Sequence, residues 1–408
     1  MTATTRASSR SSRRSSSKRV GSRWTGPGSA LRAAAPALLL YAAVRLVYLL
    51  LVLAASPHGP GESLHLLGTH WDANQYLNIA RYGYNPATSP GRAGAGMSDL
   101  AFFPLFPALM AALHAVLPFL PWSAVGPVVA TLASLAAAWG IFAALAPGYG
   151  RRTATLTVVM WGLVPAAVVE NAGYSESLFT ALAAWSLWAV VTRRWLTAGM
   201  LCLLAGLTRP TAVALAAAVI AAAAVELHRR RRDGRGAAAG SPVRPIAAAL
   251  LAPLGWLGYV AWTAQALHNW SAYFQIQAQW HSRFDFGAST LHDVWLVFTS
   301  GSSLNTYYPI VACVLAAAVV LALCLVVRRD PPALVVYGLL TLAITLGDSA
   351  YLSSRPRFLL PAFPLLLPLA ALVNRLGNRV IANTALACAL VGSACFGAYV
   401  FFLSPGAP

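Results

Sequence analysis

The sequence predicts an all-α, polytopic transmembrane helix bundle, and three observations predict it. Of the 408 residues, 58% are hydrophobic and only 10% are charged. The apolar residues gather in repeated runs of about 17 to 25, the length that carries an α-helix across a bilayer. The basic residues stand in short clusters between those runs, as the loops of a membrane protein would hold them.

A formal net charge of +18 would suit a polynucleotide if the arginines lined one soluble surface. Confined to the segments between apolar runs, it reports topology, so no nucleic-acid partner is expected. Cys202, Cys313, Cys324, Cys388 and Cys395 all lie inside apolar runs, with no CxxC pair and no histidine at zinc spacing. They read as small core residues. Residues 1–28 are rich in Ser, Arg and Gly without apolar periodicity, which predicts a disordered basic cytoplasmic tail ahead of one transmembrane domain over 29–408. A transit peptide has similar composition, but the first apolar run, 31–55, is too long for a signal core and carries Arg45.

Short cytoplasmic loops retain Arg and Lys. The clusters are the N-terminal tail, Arg151-Arg152, Arg193-Arg194, Arg229 to Arg235, Arg328-Arg329 and, more weakly, Asn374 to Arg379. With all of them inside, the chain must cross an even number of times between any two. The apolar stretch between Arg194 and Arg229 is broken by Thr208-Arg209-Pro210, which therefore becomes an outer turn. By the same parity only one of the runs 100–120 and 123–146 can cross. The first, with Pro104, Pro107 and Pro118, reads as a re-entrant or interfacial helix. This predicts about eleven crossings of the plasma membrane, at 31–55, 123–146, 154–170, 175–191, 196–207, 211–226, 245–267, 307–327, 332–347, 357–373 and 379–403. The N-terminus is then cytoplasmic. The outer face collects the loop 56–99, the corner Glu170 to Glu176, Arg209, the loop 268–306 and Asp348 to Arg357, so any active site is extracytoplasmic.

Residues 70–84 read HWDANQYLNIARYGY. Asp72 stands there among Trp71, Tyr76, Tyr82 and Tyr84, rings that suit stacking on a sugar face and equally an interfacial aromatic belt around a capping carboxylate. Asp99 is the competing acid. Glu176 opens a predicted helix, where its carboxylate meets first-turn N–H groups. Guanidinium groups match phosphate oxygens and stay charged at low dielectric. That makes Arg209, Arg355 and Arg357 candidate anion-binding residues; the alternatives are an ion pair of Arg209 with Glu170 or Glu176, and interfacial snorkelling of Arg355 and Arg357. Gln279 and Trp280, in a segment with Gln275, His281 and Arg283, combine amide donors with a stacking surface, or simply decorate an interface. Asp72, Asp99 and Glu176 could meet on a divalent metal through oxygen ligands. No ligand spacing demands one, and no cofactor is expected.

The block HWDANQYLNIARYGY, then Phe102-Phe103-Pro104-Leu105-Phe106-Pro107, Tyr174-Ser175-Glu176-Ser177-Leu178-Phe179 and Leu207-Thr208-Arg209-Pro210 resembles the PIG-V-type mannosyltransferases and their bacterial relatives, within the GT-C superfamily of membrane glycosyltransferases. The resemblance covers about residues 38–370; the tail and the last helix carry no motif. It implies a GT-C-like fold, an acidic residue in the first outer loop and a polyprenyl-phosphate sugar donor, usually mannose. Carried over, Asp72 is the general base that takes the proton of an acceptor hydroxyl while its oxygen attacks the anomeric carbon with inversion; a positioned carboxylate typically contributes about 10² to 10⁴-fold. Arg209, Arg355 and Arg357 would hold the donor phosphate, and Trp71, Tyr76, Tyr84, Asp99, Tyr174, Glu176, Gln279 and Trp280 would line the substrates. The acceptor would be a glycolipid, glycan or protein. A lipid or solute transporter or flippase is the rival class, but it predicts charge at mid-depth and an internal repeat, and no repeat is visible. A structural subunit that supports another transferase is the third reading.

Overall fold

The computed structural model describes residues 27–85, 97–232, 241–299, 307–376 and 378–404, with side chains from residue 31. The tail expected over 1–28 lies outside the described residues except for positions 27 and 28, which begin the first helix.

The chain is an all-α membrane protein. Its helices are α1 (Pro27–Ala55), α2 (Pro60–Thr69), α3 (Asp72–Tyr82), α4 (Leu105–Val116), α5 (Trp122–Tyr149), α6 (Arg151–Trp161), α7 (Glu176–Val191), α8 (Trp195–Gly206) and α9 (Ala212–Arg232) in the first part. There follow α10 (Val243–Leu251), α11 (Leu254–Ala266), α12 (Ala272–Gln279), α13 (Ala288–Thr299), α14 (Tyr308–Val327), α15 (Pro332–Gly347), α16 (Arg355–Phe358), α17 (Leu367–Arg375) and α18 (Arg379–Ala398). The outer loops expected at 56–99 and 268–306 thus contain α2, α3, α12 and α13; within them 86–96 and 300–306 lie outside the described residues.

Among the described residues, six helical segments are long and apolar enough to cross a membrane: Leu31–Ala55, Trp122–Tyr149, Ala212–Arg232, Val243–Ala266, Tyr308–Val327 and Arg379–Leu403. A seventh arises if the pair Leu352–Phe358 and Phe363–Arg375, bent by 81°, counts as one broken span. The sequence suggested about eleven. The difference lies in the short apolar helices α6, α7, α8 and α15. A helix of 12 residues such as α8 is about 18 Å long at 1.5 Å per residue, against a hydrocarbon core of about 30 Å. α7 is apolar because protein surrounds it: it is buried from Glu176 to Val190 on nearly every face. α4, the segment read as non-crossing, is likewise only 12 residues long.

α5 lies at the centre, with 61% of its apolar window buried against 28% for α1 and α14. Its Ala137, Ala138 and Ile141 pack with Ala181, Ala184 and Leu187 of α7 in one core, since small side chains let membrane helices approach closely. Backbone contact is closer still between α8 and α11, where a Cβ on Gly255 would lie 1.8 Å from the Leu203 carbonyl oxygen.

The arginine-bearing turns meet at one end of the bundle. Tyr149 Oη donates to Asp330 Oδ1 at 2.8 Å, Asn374 Nδ2 to Thr153 Oγ1 at 3.0 Å, and Arg193 and Arg230 pair with Glu226 at 3.5 and 2.8 Å. The starts of α7 and α9 and the end of α15 therefore lie at the opposite end.

At that opposite end Gly68 of α2 sits against the first turn of α5, and a Cβ there would fall 1.6 Å from the Ser123 carbonyl oxygen. Gly68→Ala must push α2 off α5, and is expected to cost about 1–3 kcal/mol. A lowered melting temperature of the detergent-solubilised protein is the expected result; an unchanged one contradicts the contact.

Candidate functional site

Asp72 is the first residue of α3, where the free N–H groups of the first turn favour a carboxylate. The turn that delivers it is strained: Trp71 has φ 57° and ψ −131°, a conformation that costs a non-glycine residue about 1–3 kcal/mol. Tertiary contacts hold it. The Trp71 ring stacks on His70 at 4.6 Å, and its indole N–H donates to the Phe401 carbonyl at 3.4 Å. Just before it, the Leu67 carbonyl accepts the Gly173 N–H at 2.8 Å, which ties the end of α2 to the corner leading into α7.

That corner supplies Glu176, the first residue of α7 and fully buried. The turn between α8 and α9 supplies Arg209, whose Nη1 lies 2.6 Å from Glu176 Oε1 and donates to Ser175 Oγ at 3.2 Å. Ser175 Oγ is also 2.7 Å from Tyr76 Oη. Arg357 completes the group from α16: its Nη1 is 2.5 Å from Asp72 Oδ2 and 3.8 Å from Glu176 Oε1. The rings of Tyr174 and Phe358 flank its guanidinium at 5.3 and 5.0 Å. Two carboxylates and two guanidiniums are thus gathered in a largely dry pocket from four separate segments. Among the described residues the buried Arg357 Nε has no hydrogen-bond partner.

Arg355 does not join them. Positions two apart on a helix turn differ by about 200°, and the 1% exposed Arg355 points away. Its Nη2 donates to the Ala350 carbonyl at 3.3 Å, while its Nε and Nη1 have no hydrogen-bond partner among the described residues. Pro356, between the two arginines, forms part of the wall of an apolar cavity of about 180 Å³ whose other lining residues include Val164, Val314, Leu359 and Phe363.

Asp99 also stands apart from the cluster. It opens a single 3₁₀ turn, Asp99–Ala101, and its Oδ2 accepts the Asn85 N–H at 2.7 Å. Several of the predicted site residues brace this segment. Tyr84 Oη donates to the Phe102 carbonyl at 2.8 Å, Trp280 Nε1 to the Ser98 carbonyl at 2.8 Å, and Gln279 Oε1 accepts the Ser98 N–H at 3.4 Å. Their polar atoms serve the backbone. Tyr76 is buried edge-on against Phe102 and Phe106 at 5.1 and 5.0 Å. Nearby, the segment 282–285 closes on 347–349 through Ser282 Oγ to Asp348 Oδ2 at 2.9 Å and the Ser349 N–H to the Arg283 carbonyl at 2.7 Å. Burial pushes the Asp348 carboxyl up, whereas the Ser289 hydroxyl and N–H hold the partly exposed Asp285 down. No three His, Cys, Asp or Glu side chains gather as metal ligands among the described residues.

A second buried network was not legible. Arg45, in the middle of α1, lies 3.2 Å from Glu170 Oε2 and donates to the Gly162 and Ala167 carbonyls at 3.1 and 2.7 Å and to Asn171 Oδ1. Tyr41 Oη donates to Glu170 at 2.6 Å. Glu170 is therefore the partner of Arg45, and Glu176 that of Arg209. A lone arginine within an apolar span was the available signal.

The pair Arg209–Glu176 lends itself to a double-mutant cycle. Removing one partner leaves a buried charge and typically costs about 3–5 kcal/mol. Arg209→Ala and Glu176→Ala should each destabilise strongly, and the double variant by less than their sum; additive losses in thermal melts would show that the pair does not interact.

No family model matches this chain, and no curated protein matches it. Solved structures are similar in fold. ArnT from Cupriavidus metallidurans in the apo state is 14% identical with a TM-score of 0.52, over 88% of this chain and 63% of that one. ArnT bound to undecaprenyl phosphate gives 14% and 0.49, over 90% of this chain and 75% of that one. The archaeal oligosaccharyltransferase AglB from Archaeoglobus fulgidus, in complex with an inhibitory peptide and a dolichol-phosphate, gives 12% and 0.48, over 90% and 56%. At such identities the likeness is one of fold: the chain shares the membrane-helix bundle of apo ArnT.

Proposed function

We propose that this chain is an inverting membrane glycosyltransferase of the PIG-V type that moves a hexose, most simply mannose, from a polyprenyl phosphate to an acceptor hydroxyl at the end of the bundle opposite the arginine turns. The observation that carries the reading is the meeting of Asp72 with Arg357, Glu176 and Arg209 at that end. Asp72 takes the proton from the acceptor hydroxyl, the oxygen forms a bond to the anomeric carbon, and the bond from that carbon to the phosphate oxygen breaks with its electron pair passing to the phosphate. A phosphate leaving group needs cations rather than a proton donor, and Arg357 and Arg209 supply them in a site of low dielectric.

ArnT, whose apo form shares this fold, binds undecaprenyl phosphate, which supports a polyprenyl donor here. The apolar cavity beside Pro356 suits the first isoprene units of such a lipid.

In membranes given labelled polyprenyl-phosphate mannose, Asp72→Asn should lower transfer by about 10² to 10⁴-fold, the usual worth of a positioned base; unchanged turnover sinks the assignment. For orientation, Asn74 is exposed one turn from the strained corner. Asn74→Cys should react with an impermeant thiol reagent in intact cells, and labelling only after lysis would place the site on the cytoplasmic side.

A further inference from the structure

The four-charge cluster is already neutral. Asp72 and Glu176 balance Arg209 and Arg357, and among the described residues no other cation pairs with either carboxylate. A phosphate that enters this pocket finds no spare positive charge. It must share a guanidinium with a carboxylate that is already there, and two anions on one cation in a dry pocket repel.

The geometry says which carboxylate yields. Glu176 is fully buried, begins α7 and lies within 4 Å of both arginines, at 2.6 and 3.8 Å. The side chain of Asp72 is 18% exposed and has one guanidinium partner. The guanidinium it holds is also the one with an unused donor, because among the described residues the buried Arg357 Nε has no acceptor while Nη1 serves Asp72.

We propose that Arg357 is a latch on the base: in the free protein it holds Asp72 in an ion pair, and the phosphate of the donor, taking the open Nε edge, draws the guanidinium away and releases the Asp72 carboxylate to accept a proton. This rests on the donor reading of the preceding subsection and adds an order to it, donor before proton transfer. While Asp72 Oδ2 accepts from the Arg357 guanidinium it is not free to meet an acceptor hydroxyl, so without donor the site does not activate a hydroxyl or a water. The alternative is a static pair, in which Asp72 merely aims Arg357 at the phosphate.

The two differ in the sign of one coupling. If Asp72 and the phosphate compete for Arg357, removing the Asp72 charge makes the binding-competent state dominant, and apparent affinity rises by the inverse of its former population. Binding of undecaprenyl phosphate and of undecaprenol is measured on the monodisperse full chain in detergent, for wild type, Asp72→Asn and Asp72→Ser. The latch predicts that both variants bind undecaprenyl phosphate about tenfold more tightly than wild type, a population of about one in ten for the released state, and that undecaprenol, which carries no charge, shows no such gain. Unchanged or weaker binding in both variants overturns the latch, and an equal gain for undecaprenol overturns it too. Absence of undecaprenyl phosphate binding to wild type and variants alike overturns both the latch and the donor reading. Tighter binding in the variants, with no transfer by the wild type from any polyprenyl-phosphate hexose, upholds the competition for Arg357 and removes the transferase.

Discussion

The constraint on which the rest of this structure depends is the neutralisation of charge in a dry pocket. Isolated, each of Asp72, Glu176, Arg209 and Arg357 would be expensive to remove from water. Held together at 2.5 to 3.8 Å, they bind four segments to one another: the start of α3, the start of α7, the turn between α8 and α9, and the short helix α16. None of these segments is long, and none is placed by its own helical propensity. The strained backbone at Trp71 follows from the same requirement, since the chain must leave α2 and present Asp72 within reach of Arg357 while Gly173 keeps its hydrogen bond to Leu67.

Arg45 solves the same problem deeper in the bundle. Its guanidinium binds Glu170 and the carbonyls of Gly162 and Ala167, which belong to the irregular stretch between α6 and α7. Away from water, backbone carbonyls without a helical partner need a donor, and one arginine of α1 supplies it. The stretch so fixed ends at Tyr174-Ser175-Glu176, so the second network supports the first through the chain itself. α8 and α11 show the complementary strategy, with small residues and direct backbone contact in place of charge.

The aromatic residues divide by what their polar atoms do. Tyr84 and Trp280 donate to backbone carbonyls of the segment 98–102. Tyr76 is buried against Phe102 and Phe106 and reaches Ser175, the hydroxyl that also contacts Arg209. The Arg357 guanidinium lies over the rings of Tyr174 and Phe358, while its Nη1 meets Asp72.

Much of the fold and the residue types of the site were legible in the sequence, because hydropathy and charge are local properties. Apolar runs and arginine clusters are enough to indicate membrane helices, a common arginine end and an opposite end rich in acids, rings and proline-broken turns. The number of full spans was not legible, because an apolar helix buried by protein and one bathed in lipid have the same composition; α7 is of the first kind. Partner choice was not legible either. That Glu176 meets Arg209 while Glu170 meets Arg45, that Arg355 and Arg357 face different ways, and that Asp72 rather than Asp99 joins the cluster all depend on separations of a few ångströms between residues as much as 285 positions apart. Sequence by itself determined which charged groups this protein carries below its surface; only the tertiary structure decided which of them neutralise one another, because a buried ion pair is decided by distance and orientation, and neither is a property of the chain order.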